Sequence, residues 1–361
     1  MTRIRHIQLA ALCASLLLAG GAAWAADAPK VPDYGPNLER FQYPHPVHRH
    51  TVNSQGQTLS MAYMDVKPKQ ANGRTVVLMH GKNFCGATWD TTITALSQAG
   101  YRVVVPDQIG FCKSDKPASY QFSFHQLAAN TQALLTHLGV ERASVVGHSM
   151  GGMLAARYAL MHGATTDALV LVNPIGLEDW KQEGVPYRSI DAWYARELKA
   201  NFAGMKKYQQ GTYYAGQWRD DYDKWVLMAA GMLQGDGRER VAWNQALTYD
   251  MIYTQPVVHE FGQIAVPTTL LIGEQDNTAP GKDAAPPEVA KRLGNYAELG
   301  PKTARAIPGA TLVMWPELGH SPQVQDPQRF NAALLDALKR PAPTKDAPIK
   351  GAPVKGAPVK G

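Results

Sequence analysis

Short runs of wholly apolar residues alternate with amphipathic stretches along most of this chain. Thr75 to Met79, Tyr101 to Pro106, Ala143 to Val146, Ala168 to Val172, Thr268 to Ile272 and Ala310 to Trp315 are almost unbroken apolar segments of strand length. Between them lie stretches with helical spacing: Trp89 to Ala99 and Phe124 to Leu138, each closed by a glycine, Met150 to Met161, and Gln328 to Lys339. Strands that are apolar throughout, each followed by a helix, predict a parallel sheet covered on both faces. Two earlier segments, Val47 to Asn53 and Leu59 to Asp65, are joined by a tight turn at Ser54-Gln55-Gly56, so they must pair antiparallel. The predicted fold class is α/β, with a mostly parallel central sheet.

The pattern changes between 177 and 262. Helical spacing dominates there, and five of the eight tryptophans fall in this stretch (Trp180, Trp193, Trp218, Trp225, Trp243), with many tyrosines beside them. This segment is predicted to be a helical cap inserted after the strand that ends at Val172. Most of its aromatic residues are expected to fill its own core, with a few lining an apolar pocket. The expected organisation is a core of 48–176 and 263–340 interrupted by the cap.

Both ends differ from a fold. Residues 1–25 carry Arg3 and Arg5, an apolar stretch from Ile7 to Gly20 and an Ala23-Trp24-Ala25 site, the layout of a secretory signal peptide. The apolar stretch is too short for the ~20 residues that cross a bilayer, so no integral membrane segment is expected after cleavage. Export to the periplasm or medium follows as an expectation. Residues 26–47 form a proline-rich extended lead-in. From 341 to 361 a five-residue Ala-Pro-Val-Lys-Gly period reads as a disordered basic tail. The chain has 36 basic and 30 acidic residues, but two of the basic ones lie in the leader, and four basic and one acidic residue in the tail. The remainder is close to neutral, so the overall basic balance gives no reason to expect a nucleic-acid partner.

The candidate chemistry centres on Gly147-His148-Ser149-Met150-Gly151. A serine between a buried strand and a helix occupies a sharp turn that lifts it clear of the sheet edge, above a helix N-terminus. Serine needs a base, usually a histidine held by a carboxylate. Gly319-His320 follows the last strand, and Asp276 stands four residues beyond the strand that ends at Ile272, at the edge where open α/β sheets place their sites. An oxyanion site needs two fixed N–H donors. Met150 at the start of the helix is one candidate. The loop His80-Gly81-Lys82-Asn83-Phe84 supplies the other, with Lys82 first and Asn83 second. His80, Phe84, His148 and Trp180 are candidates to contact substrate. No spacing suggests a metal site, and no cofactor is expected.

Five motifs now stand in order: His80-Gly81 with Trp89, Asp107-Gln108-Ile109-Gly110-Phe111-Cys112-Lys113-Ser114, Gly147 to Gly151, Gly273 to Asp276, and Gly319-His320. Over residues 47 to 340 the chain resembles the cap-bearing branch of the α/β-hydrolase superfamily. That branch holds esterases, carbon–carbon bond hydrolases, epoxide hydrolases, haloalkane dehalogenases and cofactor-free haloperoxidases. The resemblance implies a catalytic triad of Ser149, Asp276 and His320, with a small-molecule substrate. Two departures are visible. Cys112 replaces a usual glycine, and the proline-bearing stretch from Thr278 to Pro308 is longer than usual, either a lip to the site or a surface excursion. In this fold Cys85 and Cys112 lie on neighbouring loops at the site edge, where they either pair in a disulfide or remain free buried thiols.

A serine rather than a carboxylate nucleophile argues for acyl transfer, and hydrolysis of a carboxylic ester on a small to medium apolar substrate is the leading expectation. Carbon–carbon bond or amide hydrolysis, including aminopeptidase action, would use the same triad. A non-catalytic binding protein on the same fold is the alternative of another class.

Overall fold

The computed structural model describes residues 30–339. The predicted signal peptide, the first residues of the lead-in and the repeat tail lie outside them. Eight strands form one sheet in the order β1-β2-β4-β3-β5-β6-β7-β8. They are β1 (Val47–Ser54), β2 (Gln57–Val66), β3 (Thr75–Met79), β4 (Arg102–Pro106), β5 (Ala143–His148), β6 (Thr166–Val172), β7 (Thr268–Gly273) and β8 (Thr311–Trp315). β2 pairs antiparallel with β1 and with β4, and every other pairing is parallel.

Alternate residues of the central strands serve two cores, as the two-residue strand period requires. Val76, Leu78, Val103, Val105, Val146, Val170 and Leu271 point to one face, with Ile93 and Leu96 of α1 (Asp90–Gln98) and Phe330 and Leu334 of α12 (Pro327–Leu338). Val77, Met79, Val104, Val145, Leu169, Leu171 and Leu270 point to the other. There they meet α2 (Phe124–His137), α3 (Met150–Met161) and α10 (Tyr296–Ala306). Each apolar side chain so buried contributes about 1.5–3 kcal/mol, which accounts for the predominance of apolar residues in these strands.

Between β6 and β7 the chain forms α4 (Trp180–Glu183), α5 (Ile190–Glu197), α6 (Phe202–Tyr213), α7 (Asp223–Gly231) and α8 (Arg238–Thr254). Ser189 and Asn201 cap α5 and α6 through their side chains. Two stacked aromatic pairs brace this cap, Trp193–Tyr249 at 4.0 Å and Tyr214–Tyr222 at 3.9 Å between ring centroids.

The lead-in is irregular, and it is also a strap. Its Tyr34 N–H donates to Gly231 O at the end of α7, and Leu38 is fully buried. The hydroxyl of Tyr43 donates to Asp107 at 2.7 Å. The stretch from Thr278 to Pro308 is not a bare excursion. It folds into α9 (Pro287–Arg292) and α10, and α10 supplies the helical crossover that the parallel β7–β8 pair needs. Pro287 takes the first turn of α9, where a missing N–H costs nothing, whereas Pro301 sits inside α10 and removes one of its hydrogen bonds. One short helix, α11 (Pro322–Gln325), precedes α12. Among the described residues no helix is long and apolar enough to cross a membrane.

Candidate active site

Ser149 stands between β5 and α3 with φ 58° and ψ −122°. A non-glycine residue held there stores about 1–3 kcal/mol, so the surroundings must fix it. Three backbone bonds do so: Ser149 N–H donates to Val172 O at 3.1 Å, and Ser149 O accepts from Gly152 N at 2.9 Å and Ile175 N at 3.2 Å. The flanking glycines are required by space. A Cβ on Gly147 would lie 2.0 Å from Gly151 O, and one on Gly151 would lie 2.3 Å from Met79 O. The strained turn is therefore wedged between β3 and its own helix.

His320 follows β8 and is fully buried, as is the Asp276 side chain. Its Nδ1–H donates to Asp276 Oδ2 at 2.6 Å. The remaining valences of the carboxylate are filled by Asn173 Nδ2 at 3.0 Å on Oδ2 and by Thr278 N–H at 2.8 Å on Oδ1. Asn173 also grips the β7 end, accepting from Gly273 N at 2.8 Å and donating to Gly273 O at 3.1 Å. With Nδ1 on the carboxylate, the ring of His320 turns Nε2 away from it, and among the described residues Nε2 has no hydrogen-bond partner. No hydrogen bond joins it to Ser149 Oγ in this structure.

Gly81 to Phe84 form a turn closed by Phe84 N–H to Gly81 O at 3.1 Å. A Cβ on Gly81 would be 3.0 Å from Ser149 Cβ, so this turn lies against the serine. Lys82 and Asn83 occupy its corner, and among the described residues neither backbone N–H meets an acceptor. Met150 is the first residue of α3, where backbone N–H groups have no intrahelical partner. The structure thus gathers Ser149, Met150, Lys82, Asn83, Asp276 and His320 at one sheet edge.

The turn is itself braced. His80 is buried, donating from Nδ1 to Gly81 O at 2.9 Å and accepting at Nε2 from Gln108 N at 3.1 Å. Asp107 Oδ1 accepts from Gly86 N at 2.8 Å, and its Oδ2 accepts from Lys113 N at 3.0 Å as well as from Tyr43. Cys85 and Cys112 form a disulfide with Cα atoms 5.7 Å apart, tying the turn to the loop after β4. His80, Asp107 and Cys112 come close enough to share a metal ion, but the hydrogen bonds and the disulfide commit their ligand atoms.

Of the residues expected to meet substrate, only Phe84 lines a cavity beside the turn. His148 is buried, its basicity pulled far down by burial and by His320 beside it, and because the His320 carbonyl can only accept, His148 Nε2–H donates to it at 2.8 Å. Trp180, the first residue of α4, is buried in the main core. His80, His148 and Trp180 line neither the cavity beside the turn nor the larger one next to it. Sequence reasoning passed over Asn173, whose only signal was a polar residue directly after an apolar strand. It also passed over Tyr213, which lies 4.7 Å from the His320 ring and whose hydroxyl accepts from Asn83 Nδ2 at 2.8 Å. Burial lifts the Tyr213 phenol well above its ordinary range, so it stays neutral.

A cavity of about 340 Å³ opens beyond Asn83 under the cap, walled by Arg196, Glu197, Met205, Tyr208 and Tyr249 among others. It adjoins a smaller one of about 40 Å³ lined by Lys82, Phe84 and Gln245, and the two share Asn83, Glu197, Met205 and Ala229.

A strained serine between strand and helix, a histidine–aspartate pair across the sheet edge and a cap over both define a hydrolase of the α/β type. The model of the alpha/beta hydrolase fold matches residues 74–327, and the chain belongs to that family. It is similar to a probable hydrolytic enzyme from Pseudomonas aeruginosa PAO1, with 65% identity and a TM-score of 0.85 over 85% of this chain and 99% of that one. A putative carbamate hydrolase from Pantoea ananatis is 26% identical over 78% of this chain and 94% of its own length. An esterase from Exiguobacterium antarcticum shares the fold, with 20% identity and a TM-score of 0.62 over 80% of this chain and 99% of that one.

Proposed function

We propose that this α/β hydrolase cleaves carboxylic esters through a covalent acyl-enzyme on Ser149. The observation that carries the reading is the His320 ring, locked by Asp276 in the tautomer that leaves Nε2 free as a base, beside a serine held in a strained turn. Ser149 Oγ attacks the ester carbonyl as His320 Nε2 takes its proton. The oxyanion is received by the N–H groups of Met150 and Lys82, and the alkoxide leaves with the proton from His320. Water then gives a proton to Nε2 as it adds to the acyl carbonyl; the bond to Ser149 Oγ breaks, Oγ takes the proton back from His320, and the acid is released. Removing one oxyanion donor of this kind costs about 2.7–4 kcal/mol of transition-state stabilisation.

The serine favours acyl transfer over attack at saturated carbon, which the carboxylate nucleophiles of dehalogenases and epoxide hydrolases perform. In this reading the enzyme is exported and works in the periplasm or outside the cell. The leader-like residues 1–25 support this, and so does the Cys85–Cys112 disulfide, which suits an oxidising compartment. The cap closes the site over a small molecule, and no nucleic-acid or metal partner enters the mechanism.

The test is a panel of p-nitrophenyl esters of short and long acyl chains, run beside anilides, carbamates and vinylogous diketones. Highest kcat/KM on an ester supports the reading. Turnover confined to the carbamates or diketones replaces it with the amide or carbon–carbon alternative.

A further inference from the structure

Lys82 occupies a position that the ester-hydrolase mechanism does not explain. Only its backbone N–H is needed there, yet its side chain runs from the turn beside Ser149 toward the cap and is almost completely buried, at 7% exposure. Burying an ammonium is costly unless charge and hydrogen bonds compensate it, and an apolar residue would pack the same space without that cost. The compensation found here is incomplete. Nζ donates to Gln245 Oε1 at 2.5 Å and sits 3.6 Å from the centroid of the Tyr249 ring, both on α8. An ammonium has three donors, so one is left over. Among the described residues no carboxylate forms an ion pair with it. Glu197 on α5 acts on it only through space, opposed by Arg196 next in the chain.

The space it faces is suited to a ligand. Lys82 and Glu197 line the small cavity that continues into the larger one. Lys199 and Arg196 add positive charge to the larger wall, where Glu197 is the one acidic lining residue, and Arg196 is itself paired with Asp283 at 2.6 Å. A volume of about 340 Å³ falls in the range of small-molecule sites. The cation therefore lies one lysine side chain away from a backbone N–H beside Ser149, on a small cavity where Glu197 is the only other charged lining residue, next to a larger one with Arg196 and Lys199 on its wall.

We propose that the Lys82 ammonium binds a carboxylate carried by the acyl half of the substrate, so that the preferred substrates are monoesters of short dicarboxylic acids. This rests on the ester-hydrolase reading for its chemistry but not for its binding site. The groups that face Lys82 are Glu197, Arg196, Gln245 and Tyr249. Burial pulls its titration down to about 8, so it is a cation at neutral pH and loses its charge as the pH rises through that value. Preference for the charged ester is present below that transition and declines above it.

The experiment uses the full chain. Binding of monoethyl glutarate and of ethyl valerate, which differ by the carboxylate, is measured by calorimetry on Ser149→Ala protein, with and without Lys82→Met. It is repeated one unit below and one unit above the Lys82 transition. The charged ester is expected to bind at least about tenfold tighter, and the ratio is expected to collapse with Lys82→Met and to fall at the higher pH. Glu197→Gln, which keeps Lys82 intact, is expected to raise the ratio about threefold. Equal affinity for the two esters, or a preference that survives Lys82→Met, overturns the proposal. Turnover of both esters by the wild-type enzyme in a pH-stat separates the two ideas. Discrimination in binding without turnover defeats the ester-hydrolase reading and leaves the carboxylate site standing, whereas turnover without discrimination does the reverse.

Discussion

The sheet edge and the cap are built on different principles. At the edge, geometry is set by the backbone: Ser149 is fixed by three main-chain bonds, and Gly147 and Gly151 leave no room for a methyl group. Asp276 has its oxygens filled by His320, Asn173 and Thr278. In the cap, geometry is set by side chains, through aromatic stacks such as Trp193–Tyr249 and through Lys82 reaching across to Gln245. The edge permits almost no variation, and this is what a reacting centre needs. The cap touches the centre through Tyr213, on the His320 ring, while its stacked pairs such as Trp193–Tyr249 lie in its own interior.

That contrast can be broken or sharpened by substitution. Ser149→Ala should lower kcat on the best ester by about 10⁴-fold or more while leaving the melting temperature unchanged, because the residue contributes chemistry rather than packing. Retained turnover would put the reaction elsewhere. Gly151→Ala should destabilise the fold by roughly 4 kcal/mol or more, since its Cβ meets the carbonyl oxygen of Met79 rather than a movable side chain. Denaturant unfolding measures this, and a loss below about 1 kcal/mol would show the turn to be less constrained than described. Asn173→Ala should reduce kcat by about tenfold to a hundredfold with little change in KM, because it frees one lone pair of the carboxylate that orients His320. A pure KM effect would contradict that role. Trp193→Ala should have the smallest effect on chemistry. Losing its stack on Tyr249, worth about 0.5–1.5 kcal/mol, should raise KM several-fold and alter acyl preference with kcat nearly constant.

The same contrast explains what the sequence disclosed. The strands and helices of the core follow from unbroken apolar runs and from glycines at helix ends, and the observed bounds of α3 coincide with the predicted Met150 to Met161. Ser149, Asp276 and His320 could be named because each follows a strand in a short motif whose spacing the backbone dictates. Asn173 was hidden because its partner lies on the strand beside it in the sheet, and strand order is not written locally. Tyr213 was one aromatic residue among many, distinguished only by where α6 ends, against the His320 loop. His80, His148 and Trp180 looked like pocket residues because polar and aromatic side chains near a nucleophile usually are. Burial and hydrogen bonding make the two histidines braces and Trp180 core. The α10 crossover was obscured by Pro301, a residue that normally argues against a helix.

The central claim is that Ser149 forms the covalent intermediate. Labelling the purified protein with a fluorophosphonate, followed by peptide mass mapping, tests it most directly. The account predicts one phosphonyl adduct, on the peptide that carries Ser149, forming in step with loss of esterase activity and absent from Ser149→Ala protein. An adduct on another residue, or full activity after Ser149 is labelled, would contradict it.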